Sequence, residues 1–216
     1  LQVLNKNYDF NEKVNFIHIP TQNEISHYIN QLDVLHCYQI EKTFFNKASS
    51  KLKWIQLGAA GVEKSLIKEI IKSKIIITNA SGIHAEPVAE YVFSCMLYFS
   101  KIFKDIALFK ENRKWTQWDM ASRVNQLKDK TIGIIGYGKI GIEISKKAKA
   151  FNMNVIATRR LQKKMEKKRF VDQLIPLSDL SILLQESDFV IISCPLTPLT
   201  KNMINITHLK MMKRTS

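Results

Sequence analysis

Six consecutive residues, Gly136-Tyr137-Gly138-Lys139-Ile140-Gly141, carry the pattern G-x-G-x-x-G. Alone that pattern is a weak signal. Its setting gives it mechanical meaning: a five-residue apolar run, Thr131 to Ile135, precedes it, and a helix-forming stretch, Lys139 to Phe151, follows. In that setting the first glycine permits a tight turn and the second lets the backbone approach a pyrophosphate. The third lets helix and strand pack closely. The helix N-terminus adds unpaired N–H groups and a partial positive charge. Residues Thr131 to Arg160 are therefore expected to bind a dinucleotide, with Gly136, Gly138 and Gly141 around its pyrophosphate and Lys139 and Ile140 at the helix start. The competing reading is a glycine-rich turn that binds nothing.

The end of the next strand bears on which dinucleotide. Sites for NAD place an acidic residue about 20 positions after the fingerprint, where it accepts from the ribose hydroxyls. This chain has Thr158-Arg159-Arg160 there, with no carboxylate nearby. A guanidinium pairs with a 2′-phosphate through charge-assisted hydrogen bonds and gains less from a bare hydroxyl. NADP is the expected cofactor, through Arg159 and Arg160, with NAD possible.

Charge distribution agrees with that placement. The chain carries +14, but residues 1–100 hold 10 basic and 9 acidic residues whereas residues 101–216 hold 23 and 10. The excess is densest at Arg159, Arg160, Lys163, Lys164, Lys167, Lys168 and Arg169. A solvated, lysine-rich helix face accounts for this run as readily as a 2′-phosphate site at its start. Aromatic interleaving of the kind that stacks bases is absent from the run, so nucleic acid is not an expected partner.

The elements that must position these residues follow from periodicity. In the first half, Phe16 to Ile19, Asp33 to Tyr38, Trp54 to Leu57 and Ile75 to Thr78 read as strands. Helical stretches lie between them at Asn23 to Gln31 and Val62 to Ser73, the alternation of a parallel α/β sheet. A longer helix follows, with Pro87 in its first turn and apolar residues at Val88, Tyr91, Val92, Cys95, Met96 and Phe99. Lys101 to Lys130 is charged, carries Trp115 and Trp118, and reads as a connection between two domains. Beyond it, strands are expected at Thr131 to Ile135, Asn154 to Thr158 and Phe189 to Ser193, with helices at Lys139 to Phe151 and Ser178 to Glu186.

Compartment and partners are bounded more coarsely. Three well-separated cysteines, Cys37, Cys95 and Cys194, form no disulfide framework, so a reducing compartment, the cytoplasm, is expected. No apolar run approaches the roughly 20 residues of a bilayer span, so no membrane partner is expected. His18, His36 and His84 read as structural, and their spacing suggests no metal site.

Several separate segments resemble the D-isomer-specific 2-hydroxyacid dehydrogenases, the family of glyoxylate/hydroxypyruvate reductases and phosphoglycerate dehydrogenases. They are Trp54 to Val62; Asn79-Ala80-Ser81-Gly82 with Pro87 to Val92; Thr131 to Gly141; and Ser187 to Val190 with Cys194-Pro195-Leu196-Thr197-Pro198-Leu199-Thr200. They occur in the family's order. The resemblance implies a Rossmann-type dinucleotide-binding domain, residues 99–216, and a smaller flavodoxin-like α/β substrate domain, residues 1–98. It implies that backbone N–H groups at Ala60 and Gly61 hold a substrate carboxylate, chemistry that a glycine-containing turn can perform. A plain turn after a buried strand would look similar. Cys194, Pro195 and Thr200 map to a loop lining the cofactor, where Cys194 itself reads as a small apolar group.

The family's catalytic arginine, glutamate and histidine map beyond Ser216, so no catalytic residue is assigned, and both ends are expected to be truncated. His208, the only late histidine, reads as a surface residue. The chain alone is expected to bind dinucleotide and turn over little. The resemblance further implies small 2-oxoacid or 2-hydroxyacid substrates and a homodimer formed through the Lys101 to Lys130 arm; the alternative for its tryptophans is packing inside one subunit. A non-catalytic dinucleotide sensor or corepressor on the same fold remains the alternative function.

Overall fold

The computed structural model describes residues 14–113, 115 and 117–216. The chain divides into two compact units, Leu1–Asn79 and Ala80–Ser216.

In the first unit three short strands, β1 (Val34–Cys37), β2 (Trp54–Leu57) and β3 (Ile76–Asn79), form a parallel sheet in that order. Alternate residues of β1 and β2 turn inward, so Leu35, Cys37, Ile55 and Leu57 are buried. They pack with Ile25, Ile29, Ile40, Phe44, Leu52 and Ile70 from the connecting segments. Those segments are less helical than their patterns suggest. Asn23 to Gln31 forms a single α-helical turn, α1 (Ile25–Tyr28), between two 3₁₀ turns, and Val62 to Ser73 is helical only at α3 (Lys68–Lys72); α2 (Lys42–Phe45) lies between. The expected strand at Phe16 to Ile19 is not formed. Among the described residues no neighbour supplies a hydrogen-bond ladder to this apolar run: β1 pairs there with β2 alone, and Phe16 and Ile17 are exposed.

The second unit opens with α4 (Ala85–Ser100), followed by α5 (Phe103–Glu111) and α6 (Gln117–Ala121). The alternation then restarts: β4 (Thr131–Ile135), α7 (Lys139–Ala150), β5 (Asn154–Arg159), β6 (Glu166–Lys168), β7 (Val171–Pro176), α8 (Leu180–Glu186), β8 (Phe189–Ile192) and α9 (Ile206–Met211). The sheet order is β6-β7-β5-β4-β8, parallel except for the β6–β7 hairpin. Central β4 is covered on both faces, which is why it reads as a continuous apolar run rather than an alternating one. On one face Ile132 and Ile134 pack with Ala89, Phe93 and Met96 of α4 and Ile144 and Ala148 of α7. On the other, Ile135 packs with Leu180, Leu183 and Leu184 of α8.

Two expectations are revised. The division between units falls at 79/80 rather than 98/99, because the inner face of α4 is buried in the second unit's core. The lysine-rich run is not a helix face. It is a loop and the edge strand β6, which returns into β7 through Arg169-Phe170. Val171, Leu174 and Ile175 have helix-like spacing, yet burial beside β5 makes that segment a strand.

Candidate dinucleotide site

The glycine fingerprint lies at the carboxyl end of β4, as its turn into α7. The neighbours of β4 are β5 on one side and β8 on the other, so chain order reverses there. At such a switch point the loops leave in opposite directions and open a crevice beyond the strand ends.

Each glycine has its own task. Gly136 holds φ +109°, and a Cβ added there would lie 2.6 Å from the Cys194 backbone nitrogen, so only glycine fits. At Gly141 an added Cβ would meet the Gly136 carbonyl at 2.6 Å, so its role is close helix–turn packing. Gly138 differs from both. Its φ of −102° and ψ of −160° suit any residue, and an added Cβ would meet nothing within 4 Å. Packing within the chain does not require glycine at 138, whereas a group lying outside the backbone would.

That group should be anionic. Gly138 is the N-cap of the 12-residue α7, no described side chain caps the helix, and its first turn holds no acidic residue. The free N–H groups and the helix dipole face the open space beside Gly138. Lys139 and Ile140 supply the first helical amides. The Lys139 ammonium is itself engaged: Nζ donates to the Ser81 carbonyl at 2.7 Å, over Gly82, whose φ is +104°. These features fit a dinucleotide pyrophosphate.

Arg159 ends β5 and Arg160 follows it; both are exposed, and neither is ion-paired among the described residues. The Thr158 carbonyl accepts from the N–H groups of Gly136, 3.2 Å, and Tyr137, 2.8 Å, which ties the fingerprint to the end of β5. Tyr137 is only 8% exposed, and its hydroxyl donates to the Arg169 carbonyl at 3.2 Å. Burial raises that hydroxyl's pKa, with the Arg159 charge acting in the opposite sense, so it remains a protonated donor.

The loop after β8 forms the other wall. Ser193 Oγ donates to the Gly136 carbonyl at 2.8 Å, and the backbone of half-buried Cys194 abuts Gly136. Pro195 is exposed. The Thr200 hydroxyl donates to the Pro195 carbonyl at 2.7 Å and accepts from the Thr197 N–H at 2.7 Å, which makes it the organiser of this loop. Tyr137 and Ser193 were missed in the sequence because both sit at positions where the fingerprint and strand patterns accept many residue types.

In the first unit, Ala60 and Gly61 lie in the turn after β2, and Asn79 Nδ2 donates to the Ala60 carbonyl at 2.6 Å. Glu63 lies over Gly61, its Oε2 2.8 Å from where a Cβ would stand. No helix follows directly; α3 starts only at Lys68. Burial pushes the Cys37 thiol up to about 11, which makes it an inert core group. His208 lies on α9, where its Nδ1 is 2.9 Å from Asn205 Oδ1, the atom that also accepts from the first helical amides. His18, His36 and His84 are exposed.

Residues 93–216 match the family described as D-isomer specific 2-hydroxyacid dehydrogenase, NAD binding domain. The chain belongs to this family. Among related D-2-hydroxyacid dehydrogenases, the glyoxylate reductase of Pyrococcus horikoshii is 33% identical over 183 residues, covering 82% of this chain and 54% of that protein. The glyoxylate reductase of Thermococcus litoralis is 30% identical over 190 residues, covering 86% of this chain and 56% of its own. The chain thus spans about half the length of the curated relatives it matches. A solved D-lactate dehydrogenase of Aquifex aeolicus, complexed with NAD and lactic acid, superposes with a TM-score of 0.71 at 25% identity, covering 87% of this chain and 56% of that one. An acyclic imino acid reductase in complex with NADPH and D-Arg shares the fold at a TM-score of 0.78 and 22% identity, over 99% of this chain and 67% of that one. The expected Rossmann-type α/β fold and the family are both established by these likenesses.

Proposed function

We propose that the protein is an NADP(H)-dependent reductase of small 2-oxoacids, to which this chain contributes the dinucleotide site and the loop receiving the substrate carboxylate. When bound, the nicotinamide would exchange a hydride with C2 of the acid. The pyrophosphate would lie on the amides of Lys139 and Ile140 beside Gly138, with Pro195 and Cys194 bordering the same crevice. The observation that carries the cofactor choice is Arg159. A guanidinium without an ion-pair partner among the described residues stands where NAD sites hold a carboxylate, and solved structures of this fold are complexed with NAD in one case and NADPH in another.

The substrate reading rests on the turn after β2. The amides of Ala60 and Gly61 would bind the carboxylate, and the Asn79 bond to the Ala60 carbonyl orients that peptide. Glu63 beside Gly61 disfavours a second anionic group, so acids with no charge beyond the carboxylate, such as glyoxylate and hydroxypyruvate, are the first to assay. Trp115 and Trp118 are 83% and 81% exposed, which favours a homodimer contact over packing inside one subunit. Three free thiols support a cytoplasmic setting, and no helix among the described residues is long and apolar enough to cross a membrane.

Titration of the chain with NADPH and with NADH, followed by calorimetry, tests the cofactor reading. NADPH should bind at least about tenfold more tightly, equivalent to roughly 1.4 kcal/mol. Equal or tighter NADH binding would overturn it.

A further inference from the structure

The turn through which the chain enters α4 is held by a side chain of another helix. Gly82 holds φ +104°, and its carbonyl accepts from the Ala85 N–H at 3.1 Å. The Ser81 carbonyl accepts instead from Nζ of Lys139, the first residue of α7, at 2.7 Å. The lysine stem lies across the turn: a Cβ on Gly82 would stand 2.6 Å from Lys139 Cδ and 3.1 Å from its Nζ. A glycine outside the fingerprint is thus required twice, by its own φ and by the side chain of a fingerprint residue.

This contact lies at the end of the sheet that carries the dinucleotide site. Ser81 meets Lys139, Glu86 ion-pairs with Lys147, and Phe93 stacks on Phe151 with ring centroids 5.2 Å apart. Residue numbers rise together along the two partners, so α4 and α7 run side by side in the same direction. Both N-termini therefore lie at the carboxyl end of β4, beside the glycine fingerprint. Each helix directs a partial positive charge there, and Lys139 adds a full one. Glu86, in the first turn of α4, is engaged by Lys147, and the first turn of α7 has no acidic residue. Among the described residues Lys139 has no carboxylate partner, only the neutral Ser81 carbonyl. An anion at the α7 N-terminus relieves this concentration of like charge. An ammonium has three donors, so it can serve that anion without leaving Ser81.

We infer that Lys139 is a positioning residue that couples dinucleotide occupancy to the entry turn of α4, one N–H of its ammonium holding the Ser81 carbonyl while the others face the pyrophosphate. A bound dinucleotide then fixes Ser81 and Gly82 through this side chain. The inference rests on the reading that places the pyrophosphate at the α7 N-terminus, and it is independent of the choice between NAD and NADP.

Hydrogen exchange of wild type and K139M, each free and saturated with NADPH, tests it. Lys139 is exposed, so methionine keeps an unbranched stem and removes only the donors. The reporters are the Ala85 and Val88 amides, which bond to the Gly82 and His84 carbonyls. In wild type NADPH should slow them about three- to tenfold more than it slows the interior of α4, the factor for one hydrogen bond. In K139M that excess should fall below about twofold. An excess that survives in K139M, or faster exchange of these amides on binding, overturns the inference. A second arm uses G82A, whose Cβ takes the place of the Lys139 stem. G82A should weaken NADPH in wild type but by less than about twofold in the K139M background, and equal losses in both overturn the inference. The amides of Lys139 and Ile140 separate the two levels. If NADPH does not slow them in wild type, the pyrophosphate reading fails; if it slows them without the excess at Ala85 and Val88, only the role of the Lys139 side chain fails.

Discussion

Two turns in this molecule face anions in the proposed function, and they are built on different physics. The turn after β4 leads at once into a 12-residue helix, so its amides come pre-aligned and carry the helix dipole. The turn after β2 has ten residues before the five-residue α3, and the peptide at Ala60 is held by a side-chain bond from Asn79 rather than by a helix. The first turn is over-determined by packing: Gly136 against Cys194, Gly141 against Gly136, Ser193 against the Gly136 carbonyl. The second has the Glu63 carboxylate as the nearest neighbour of Gly61. A dinucleotide needs a permanent cradle for a large anion. A small acid needs only a few amides that can adjust to it.

The strongest way to break this comparison is at the packed turn. G136A sets a Cβ against backbone atoms at a left-handed φ, so neither partner can yield. A loss of roughly 2–4 kcal/mol in chemical denaturation, with dinucleotide binding abolished, is expected. G138A should behave in the opposite way. The lost glycine N-cap preference and the smaller unfolded-state entropy nearly cancel, leaving stability within about 0.5 kcal/mol of wild type. Dinucleotide affinity should nonetheless fall at least about tenfold for NADPH and NADH alike. A stable G138A protein with unchanged affinity would remove the pyrophosphate from this turn.

Acid should separate the two units. Asp188 accepts from the Thr131 N–H at 2.8 Å and from Lys213 at 3.0 Å. Burial pushes its pKa up, but these two donors outweigh burial and hold it below the ordinary carboxylate value. Asp172 does the same for Val155 with Lys149. Because the folded values are depressed, both contributions are complete above the unfolded carboxylate value, about 3.9, and are lost as pH falls below it. Hydrogen exchange between pH 7 and pH 3 should thus loosen β4 and β5 before β1 and β2. In D188N that pH response should shrink, at a cost of about 1–2 kcal/mol at neutral pH. Uniform loosening of both sheets would contradict this.

The smallest effect belongs to the turn after β2. N79A removes one hydrogen bond at a half-buried site and should cost about 1 kcal/mol. It should weaken binding of a 2-oxoacid without touching dinucleotide affinity, and an equal effect on both ligands would show that the two turns are not independent.

The local chemistry was legible in the sequence wherever one element decides it. Thr131 to Ile135 as a buried strand, Lys139 onward as a helix, and the order of glycine, strand and arginine all follow from periodicity and spacing within about 30 residues. Pairing was not legible. Phe16 to Ile19 has a strand's composition but no ladder among the described residues, and Val171 to Pro176 has helical spacing but lies against β5. Nor could spacing assign α4 to the second unit, because that depends on which core receives Phe93 and Met96.

The sequence by itself thus determined that a glycine turn feeds a helix and that a cation, not a carboxylate, ends the next strand. Only the tertiary structure decided what holds each of its glycines in place. The pattern assigns the pyrophosphate to the second glycine; in the structure Gly136 and Gly141 are held by contacts with Cys194 and with each other, whereas among the described residues nothing fills the space at Gly138. For Gly136 that difference arises from Cys194, a residue 58 positions further along the chain brought side by side with it, and packing of that kind leaves no trace in local composition.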